Sequence, residues 1–238
     1  MTKEMLDVLD ADKRIFTYKV MFDGGTAPNP FSGVCTLAIC KPAIRRVAKP
    51  GDLIVGLAPG NEGRVVYCMQ VTDKKFWKDY IELCTDATVR DEIVEYKGLV
   101  QKVPQSTKDQ GDCIWRDADV YEAVRPTYSG HQGELDFNHD VINGESVLLS
   151  TKYWYFGKGD KISIRLPERL KQMIPGRGHR SNANDSFRDE FVQMFNNEIK
   201  LGHGVHGTPE HAPENTDKAT CSRCRIKQDE DDQIDEEK

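Results

Sequence analysis

The order of apolar and polar positions predicts three strands and two helices in the first third of the chain. Residues 15–22 (IFTYKVMF) alternate and are rich in β-branched and aromatic side chains, which favours a strand. Residues 53–57 and 64–71 predict two further strands. A proline in the first turn and apolar residues three positions apart predict a short helix over residues 42–49. Aromatic residues on one side predict a second helix over residues 76–83.

The second half of the chain contains one long weakly patterned region and then clearer elements. Residues 84–145 show little periodicity, and within them residues 126–144 are polar and rich in Gly, His and Asn. A loop of this length inside a compact domain is either functional or disordered. Residues 146–150 and 153–156 predict strands, and residues 185–199 predict the strongest amphipathic helix of the chain.

These elements predict a mixed α+β fold, because the strands are joined by hairpins with short helices between them. We expect a curved, mostly antiparallel sheet or a small β-barrel with flanking helices. The ordered domain is expected over residues 15–201, with residues 1–14 as an N-terminal arm and residues 202–238 as a flexible tail.

The composition is that of a polar globular protein without a membrane segment. Hydrophobic residues make up 38% of the 238 positions and charged residues 30%. No run approaches the roughly 18 apolar residues of a membrane span, and the N-terminus lacks the apolar core of a signal peptide. Seven scattered cysteines, an odd number, fit free thiols in a reducing compartment. We therefore expect a cytoplasmic protein.

The net charge of −6 comes from the C-terminus. The last ten residues, DEDDQIDEEK, carry seven acidic residues and one lysine, which leaves the first 228 residues neutral overall. Such a block is typical of a solvated, disordered end. It could instead recruit a protein partner, or compete with nucleic acid for a basic groove on the body.

Two basic segments, far apart in the sequence, are candidates for a phosphate-binding rim. Arginine suits phosphate because its planar guanidinium donates two parallel hydrogen bonds, and the glycines of the GRGHR sequence would let backbone N–H groups approach an anion. The alternative is a solvated surface with local acidic partners. The candidate residues are Lys41, Arg45, Arg46, Arg177, His179 and Arg180. The helix geometry places Arg45 and Arg46 away from the apolar edge, towards solvent or a groove.

Four consecutive aromatic residues on one predicted strand allow two interpretations. Alternation places Tyr153 and Tyr155 on one face and Trp154 and Phe156 on the other. One pair could offer a stacking surface for a base, worth roughly 1–3 kcal/mol per base. The alternative is that both pairs fill the core, as large aromatic side chains usually do.

Two cysteines, Cys35 and Cys40, precede the first basic segment. One of them could be a thiolate nucleophile activated by the nearby cations, with a base such as His179 within hydrogen-bond reach. The alternative is a pair of small, buried and inert thiols. The residues alone favour the second interpretation.

The C-terminal region contains a weak zinc motif. Cys221 and Cys224 form a C-x₂-C pair downstream of His206 and His211, and two thiolates with two imidazoles would make a tetrahedral set. A single C-x₂-C pair is a weak signal, so the alternative is unliganded side chains. We expect no metal or cofactor in the body.

Five segments in order along the chain carry a resemblance to a known family. They are APNPFSGVCTLAICKPAIRRVAKPGDLIVG (27–56), RVVYCMQVT (64–72), GDCIW (111–115), VLLSTKYWYFG (147–157) and GRGHR (176–180). Together they resemble the family called nucleotide modification associated domain 2, over about residues 15–199. Cys113 departs from the family pattern, in which an asparagine is expected.

The resemblance implies association with systems that modify DNA bases, often in phages and bacteria, and implies no particular reaction. It makes Asn29, Asp112 and an aromatic side chain candidates for reading a base, and it strengthens the expectation of a phosphate-binding rim. A fainter likeness to the small barrels of the PUA, ASCH and EVE type, which hold modified or flipped bases, points the same way.

Three functions follow. The first is a nucleotide- or nucleic-acid-binding protein associated with base modification or with recognition of modified bases. The second is an enzyme acting on a nucleotide or base, with Cys35 or Cys40 as nucleophile or Asp112 as general acid/base. The third is an interaction protein that recruits a partner through its acidic tail.

Overall fold

The structure is a computed structural model that describes residues 9, 13–31, 33–86, 115, 118–119, 131, 133–199 and 201–211. The strands of this part are β1 (Ile15–Lys19), β2 (Cys35–Leu37), β3 (Leu53–Leu57), β4 (Val65–Gln70), β5 (Asp73–Phe76), β6 (Ser146–Ser150), β7 (Lys152–Tyr155), β8 (His179–Arg180) and β9 (Gly204–Val205). The α-helices are α1 (Pro42–Val47), α2 (Trp77–Thr85), α3 (Glu134–Phe137) and α4 (Arg188–Glu198). A π-helix covers Asn138–Ile142, and 3-10 helices cover Glu168–Met173 and Asn182–Phe187.

The strands form two separate sheets. The larger has the order β8-β1-β3-β4-β7-β9 and the smaller has the order β2-β6-β5. In the larger sheet β1 runs parallel to β3 and β7 runs parallel to β9, while the other pairs are antiparallel. The α+β class is thus confirmed, and of the two predicted arrangements, a curved sheet or a small β-barrel, the barrel is wrong. The chain leaves β1 to build β2 and α1 before it returns as β3, so β1 and β3 are joined by a crossover instead of a hairpin.

Strand β3 lies at the centre of the core. All five of its residues are buried, which explains why LIVGL is an almost continuous apolar run. Its alternate residues contribute to two hydrophobic clusters, one on each face of the sheet. The first packs Leu53 and Val55 with Phe191 and Phe195 of α4. The second packs Ile54 with residues of β1, α1 and β6.

A third cluster lies behind the smaller sheet and holds α2 in place. It contains Trp77 and Tyr80 of α2, Val147 and Leu149 of β6, and Trp115. The ring of Trp115 meets the ring of Phe137 edge-on at 5.3 Å. Phe137 of α3 and Val141 of the π-helix belong to the same cluster as Ala38 and Ile39, which lie between β2 and α1 beside the candidate site.

The segment after Gly202 shows no periodic pattern and was predicted to be a tail, yet residues 201–211 follow the larger sheet. β9 pairs with β7, and His211 N–H donates to the Asp23 carbonyl oxygen at 2.9 Å. Tyr155 donates its hydroxyl proton to the Asp23 carboxylate, with oxygen distances of 2.7 and 2.9 Å. Isolated backbone and side-chain bonds hold this segment, and such bonds leave no periodicity in the sequence. None of the helices in the described ranges is both long and apolar enough to cross a membrane.

Candidate active site

Cys40 occupies a strained turn between a strand and a helix. β2 ends at Leu37, Cys40 and Lys41 follow with φ values of 59° and 44°, and α1 then begins at Pro42. Residues other than glycine rarely adopt positive φ, and each such position costs about 1–3 kcal/mol and persists only where its surroundings enforce it. Strain of this kind concentrates at functional sites, so the turn makes Cys40 a candidate functional residue.

Both backbone polar groups of Cys40 are fixed by buried side chains. Its N–H donates to Oδ1 of Asp140 at 3.0 Å, and its carbonyl oxygen accepts a hydrogen bond from Nε of Arg45 at 2.7 Å. Asp140 and Arg45 are both 0% exposed. The strained backbone is therefore enforced from two sides, which leaves the Cys40 side chain in a defined position.

The side chain of Cys40 begins a chain of three functional groups. Its Sγ lies 3.5 Å from Nε2 of His131, and Nδ1 of His131 lies 2.7 Å from Oδ2 of Asp140. The carboxylate can only accept, so Nδ1 of His131 carries a proton and donates it, and Nε2 faces the thiol. Nucleophile, base and orienting carboxylate in this order form the arrangement of a catalytic triad.

Asp140 is the residue on which the site converges. It lies in the π-helix, a rare wide turn that is found frequently at functional sites. Besides Cys40 and His131, its carboxylate lies 3.1 Å from Nδ1 of His139 and accepts from Nε1 of Trp115 at 3.2 Å. Its carbonyl oxygen accepts from Nε1 of Trp77 at 2.8 Å. These contacts hold the carboxylate in one orientation beneath His131.

The charges of the site are arranged to form a thiolate. Burial raises the pKa of the Cys40 thiol, but the charge of His131 and its hydrogen bond outweigh burial and leave this pKa below its usual value. Burial lowers the pKa of His131, yet Asp140 and the thiolate hold it well above the usual histidine value. The pKa of Asp140 stays low, because His131, His139 and Arg45 oppose the effect of burial. A thiolate–imidazolium pair is the state that these shifts favour.

Arg45 supports this site from the inside instead of binding a ligand at the surface. Both arginines of α1 were expected on its polar side, but Arg45 is fully buried and only Arg46 is exposed. Nη1 of Arg45 donates to the carbonyl oxygen of Ser146 at 2.8 Å, and Nη2 lies 3.9 Å from Oδ1 of Asp140. A Cβ atom at Gly144 would lie 2.1–2.3 Å from the guanidinium, so only glycine leaves room for it.

Two of the residues predicted for a phosphate-binding rim, Lys41 and His179, each lie next to Tyr18. Nζ of Lys41 lies 5.5 Å from the ring centre of Tyr18, and Tyr18 is paired with His179 across β1 and β8. Burial raises the pKa of Tyr18, and the charge of the nearby Cys40 raises it further. Arg180 is the next residue of β8, and Arg177 is exposed before it. The histidine in contact with Cys40 is His131, whereas His179 was the base suggested by the sequence.

The other predicted base-reading residues have structural partners. Oδ1 of Asn29 accepts the backbone N–H of Phe31 at 3.1 Å. Tyr153 and Tyr155 do share one face, as predicted, but both are buried. The Tyr153 hydroxyl donates to the Pro30 carbonyl oxygen at 2.8 Å. Cys35 is buried in β2, in the same hydrophobic cluster.

The candidate metal ligands that the structure describes have roles in backbone contacts. Nε2 of His206 lies 2.8 Å from the Gly202 carbonyl oxygen, and Nδ1 of His211 accepts the Asp23 N–H at 3.2 Å. Within the described ranges, His, Cys, Asp and Glu side chains do not gather into a group of three that could hold a metal ion. The other two candidate metal ligands, Cys221 and Cys224, lie outside the described residues, and so does Asp112, the candidate base-reading residue and general acid/base.

Sequence reasoning selected Cys40 but missed its partners. His131 and Asp140 both lie in the span 126–144, whose length and polar composition indicated a loop that was either functional or disordered. That signal pointed to the segment, but not to the two residues. Nine positions separate them along the chain, and neither spacing nor motif indicates that they meet Cys40.

Comparison with known proteins gives one match. The sequence profile of the family described as nucleotide modification associated domain 2 matches residues 12–216, which include the three residues of the triad arrangement and all nine strands described above. No curated protein matches the chain, and no solved structure does. Because the profile covers well over half of its length, the chain belongs to the nucleotide modification associated domain 2 family.

Proposed function

We propose that the protein is a cysteine-dependent acyl-transfer enzyme that works in nucleotide modification, with Cys40 as its nucleophile. The observation that carries the proposal is the contact chain from the Cys40 thiol through His131 to Asp140. The family description supplies the connection to nucleotides. Among reactions of a thiolate paired with an imidazolium, acyl transfer is the one for which this trio of groups recurs on unrelated folds.

Each residue has a defined part in the reaction. The Cys40 thiolate attacks the carbonyl carbon of an amide or ester and forms a C–S bond, and the electron pair of the C=O bond moves to oxygen. As the carbonyl re-forms, the bond to the leaving nitrogen or oxygen breaks and His131 donates its Nε2 proton to that atom. Neutral His131 then takes a proton from water, which attacks the thioester carbon. The C–S bond breaks and the thiolate–imidazolium pair is restored.

Asp140 and Arg45 act on the catalytic groups and not on substrate. Asp140 fixes the tautomer of His131 and stabilises its charge, while Arg45 holds the Cys40 carbonyl. The Cys40 N–H donates to Asp140, so it does not serve a developing oxyanion. Lys41 is the cation next in sequence, and its ammonium group is the candidate that would offset that charge.

Thiol alkylation tests the proposal without knowledge of the substrate. Iodoacetamide labelling of each cysteine, followed by mass spectrometry from pH 4 to 9, should show Cys40 reacting at pH values where an ordinary thiol is protonated. His131→Ala should shift the labelling midpoint of Cys40 upwards. Cys35 is the matched internal control, because it lies on the adjacent strand, is fully buried and should not react in the folded protein.

A generic ester then tests for chemistry. With p-nitrophenyl acetate we expect a burst of about one equivalent of p-nitrophenolate, as for any enzyme that accumulates an acyl intermediate. Cys40→Ala should abolish the burst and Cys35→Ala should retain it. If Cys40 labels no faster than in the urea-unfolded chain, the thiol is inert and the proposal is wrong.

A nucleotide- or nucleic-acid-binding protein without chemistry is the second candidate, favoured by the exposed Arg46 of α1 and the half-buried Lys74 and Lys75 of β5. It would account for those cations but not for the fixed, charged Cys40–His131–Asp140 chain. Zinc binding by Cys221 and Cys224 and partner recruitment by the acidic C-terminus remain predictions about residues outside the described ranges.

A further inference from the structure

A group of cations surrounds the C-terminal end of α1. Arg46 and Lys49 are exposed there, and Lys74 of β5 reaches across to the same point. Its Nζ donates to the carbonyl oxygens of Arg46 at 2.6 Å and Ala48 at 3.1 Å, which are the last acceptors of the helix. Lys74 therefore joins β5, at the edge of the smaller sheet, to α1. Its ammonium group adds a positive charge at the end of this helix.

The positive charges of this group are only partly neutralised. Burial lowers the pKa of Lys74, Glu145 raises it, and the charges of Lys49 and Arg14 lower it further, so these cations lie close enough to repel one another. Nearby, Arg14 is paired with Asp52, and Lys75 with Asp73. Over the described part of the chain, no carboxylate lies within salt-bridge distance of Arg46, Lys49 or Lys74. Repulsion of this kind is relieved by a bound anion.

An exposed aromatic side chain lies beside the cations. Phe76 is 65% exposed, and it shares a face of β5 with Lys74 because residues two apart in a strand point the same way. Its pairing partner is Ser146, and Nη1 of Arg46 donates to the Asn143 carbonyl oxygen only three residues earlier. We call Arg46, Lys49, Lys74 and Phe76 the cationic strip.

We infer that the cationic strip binds single-stranded nucleic acid, with phosphates on Arg46, Lys49 and Lys74 and a base stacked on Phe76. Cations that follow a backbone together with an aromatic stacking surface are what proteins use for single strands. In a duplex the bases stay stacked on one another, so its phosphates would contact the cations but no base would stack on Phe76. The inference rests on the proposed function and names its substrate as a polymer instead of a free nucleotide.

The strip and the candidate active site share two structural elements. α1 begins two residues after Cys40 and ends at the strip, a length of about 9 Å for six residues. Phe76 directly precedes Trp77, whose Nε1 donates to the Asp140 carbonyl oxygen. A nucleic-acid strand bound to the cationic strip is therefore separated from the Cys40 thiol by the length of α1.

Fluorescence anisotropy with a labelled 12-nucleotide single-stranded DNA tests the inference over a range of NaCl concentrations. Phe76→Ala should weaken binding about 5- to 150-fold, the range of one stacked base. The double variant Arg46→Ala/Lys49→Ala should weaken it and reduce the slope of log K against log salt by about 1.4, or about 0.7 for each lost phosphate contact. The matched control is Lys158→Ala/Lys161→Ala, which removes two exposed lysines from the turn after β7 and should leave affinity and slope unchanged.

Specificity for a single strand is tested with the same DNA as a duplex and with polyglutamate. Phe76→Ala should affect the single strand much more than the duplex, and polyglutamate should not compete. Equal losses in the strip and control variants, no effect of Phe76→Ala, or efficient competition by polyglutamate would each overturn the inference.

The test separates this inference from the proposed function. Cys40→Ala should bind the oligonucleotide like the unmodified protein, because the thiol is outside the strip. If Cys40 is inert but binding still depends on the cationic strip, the proposed enzymatic function is wrong and the inferred binding surface stands. If Cys40 is reactive but binding does not depend on the cationic strip, only this inference is wrong and the proposed function stands.

Discussion

Asp140→Asn is the substitution that most directly tests how the candidate site is held together. The change keeps the shape of the side chain but removes its charge and turns one acceptor oxygen into a donating amide. Oδ1 accepts from Cys40 N–H and contacts His139, and Oδ2 accepts from Trp115 and His131. Both carboxylate oxygens accept from buried N–H groups, so in either orientation the NH₂ group of the asparagine would face a buried donor instead of an acceptor.

The expected loss of stability is large because two buried cations depend on Asp140. Arg45 is 0% exposed and would keep its charge without a counter-ion, while the buried His131 would lose the carboxylate that holds its pKa up. Removing one partner of a buried ion pair typically costs about 3–5 kcal/mol, against total stabilities of about 5–15 kcal/mol for a domain. Because His131 then loses the partner that raises its pKa, the thiolate of Cys40 also loses its counter-ion.

The pH dependence of this loss follows from the shift of Asp140. Its pKa is lowered on folding, so its contribution to stability is complete above the ordinary carboxyl range and disappears as the pH falls through its folded value. The gap in unfolding free energy between the unmodified protein and Asp140→Asn should therefore be widest near neutral pH and shrink in acid.

Urea unfolding followed by tryptophan fluorescence, together with iodoacetamide labelling of Cys40, measures both effects. Asp23→Asn is the control, since burial raises the pKa of Asp23 and its charge opposes folding at neutral pH. Asp23→Asn should lower the free energy of unfolding less than Asp140→Asn does, and it should leave the labelling profile of Cys40 unchanged. An Asp140→Asn protein that stays within about 0.5 kcal/mol of the unmodified protein at pH 7, a change typical of a surface substitution, would refute the reasoning.

Two further pairs of substitutions test the packing around the site and the anchoring of the C-terminal segment. Gly144→Ala should cost about 1–3 kcal/mol in urea unfolding, because its Cβ would overlap the Arg45 guanidinium, whereas Gly176→Ala, with open space around it, should be almost neutral. Equal effects of the two would contradict the placement of Arg45. Tyr155→Phe leaves the buried Asp23 carboxylate without its hydroxyl donor and should cost more than Tyr153→Phe, which loses only a bond to the Pro30 carbonyl. Thermal unfolding of the two variants decides this, and the reverse order would show that Asp23 is not the main anchor.

The sequence determined the local elements with good accuracy. The strands over residues 53–57 and 146–150 have the predicted bounds, and α1 starts at the proline that predicted it. The helix predicted over residues 185–199 exists as a 3-10 segment followed by α4. These features depend on periodicity and on proline geometry, which are local properties of the chain. The resemblance to the family was likewise carried by contiguous segments, and it is confirmed.

Only the tertiary structure decided how the sheets are arranged and which residues form the site. A parallel β1–β3 pair and an open sheet depend on a crossover that no local pattern records. Arg45 and Arg46 are adjacent in the sequence, yet one lies in the core and the other at the surface, because the Asp140 carboxylate and the space at Gly144 accommodate a single guanidinium. The sequence could identify Cys40 as a thiol of interest. Its partners in the structure, His131 and Asp140, lie more than ninety residues away in the sequence, and their approach is a property of the folded chain alone.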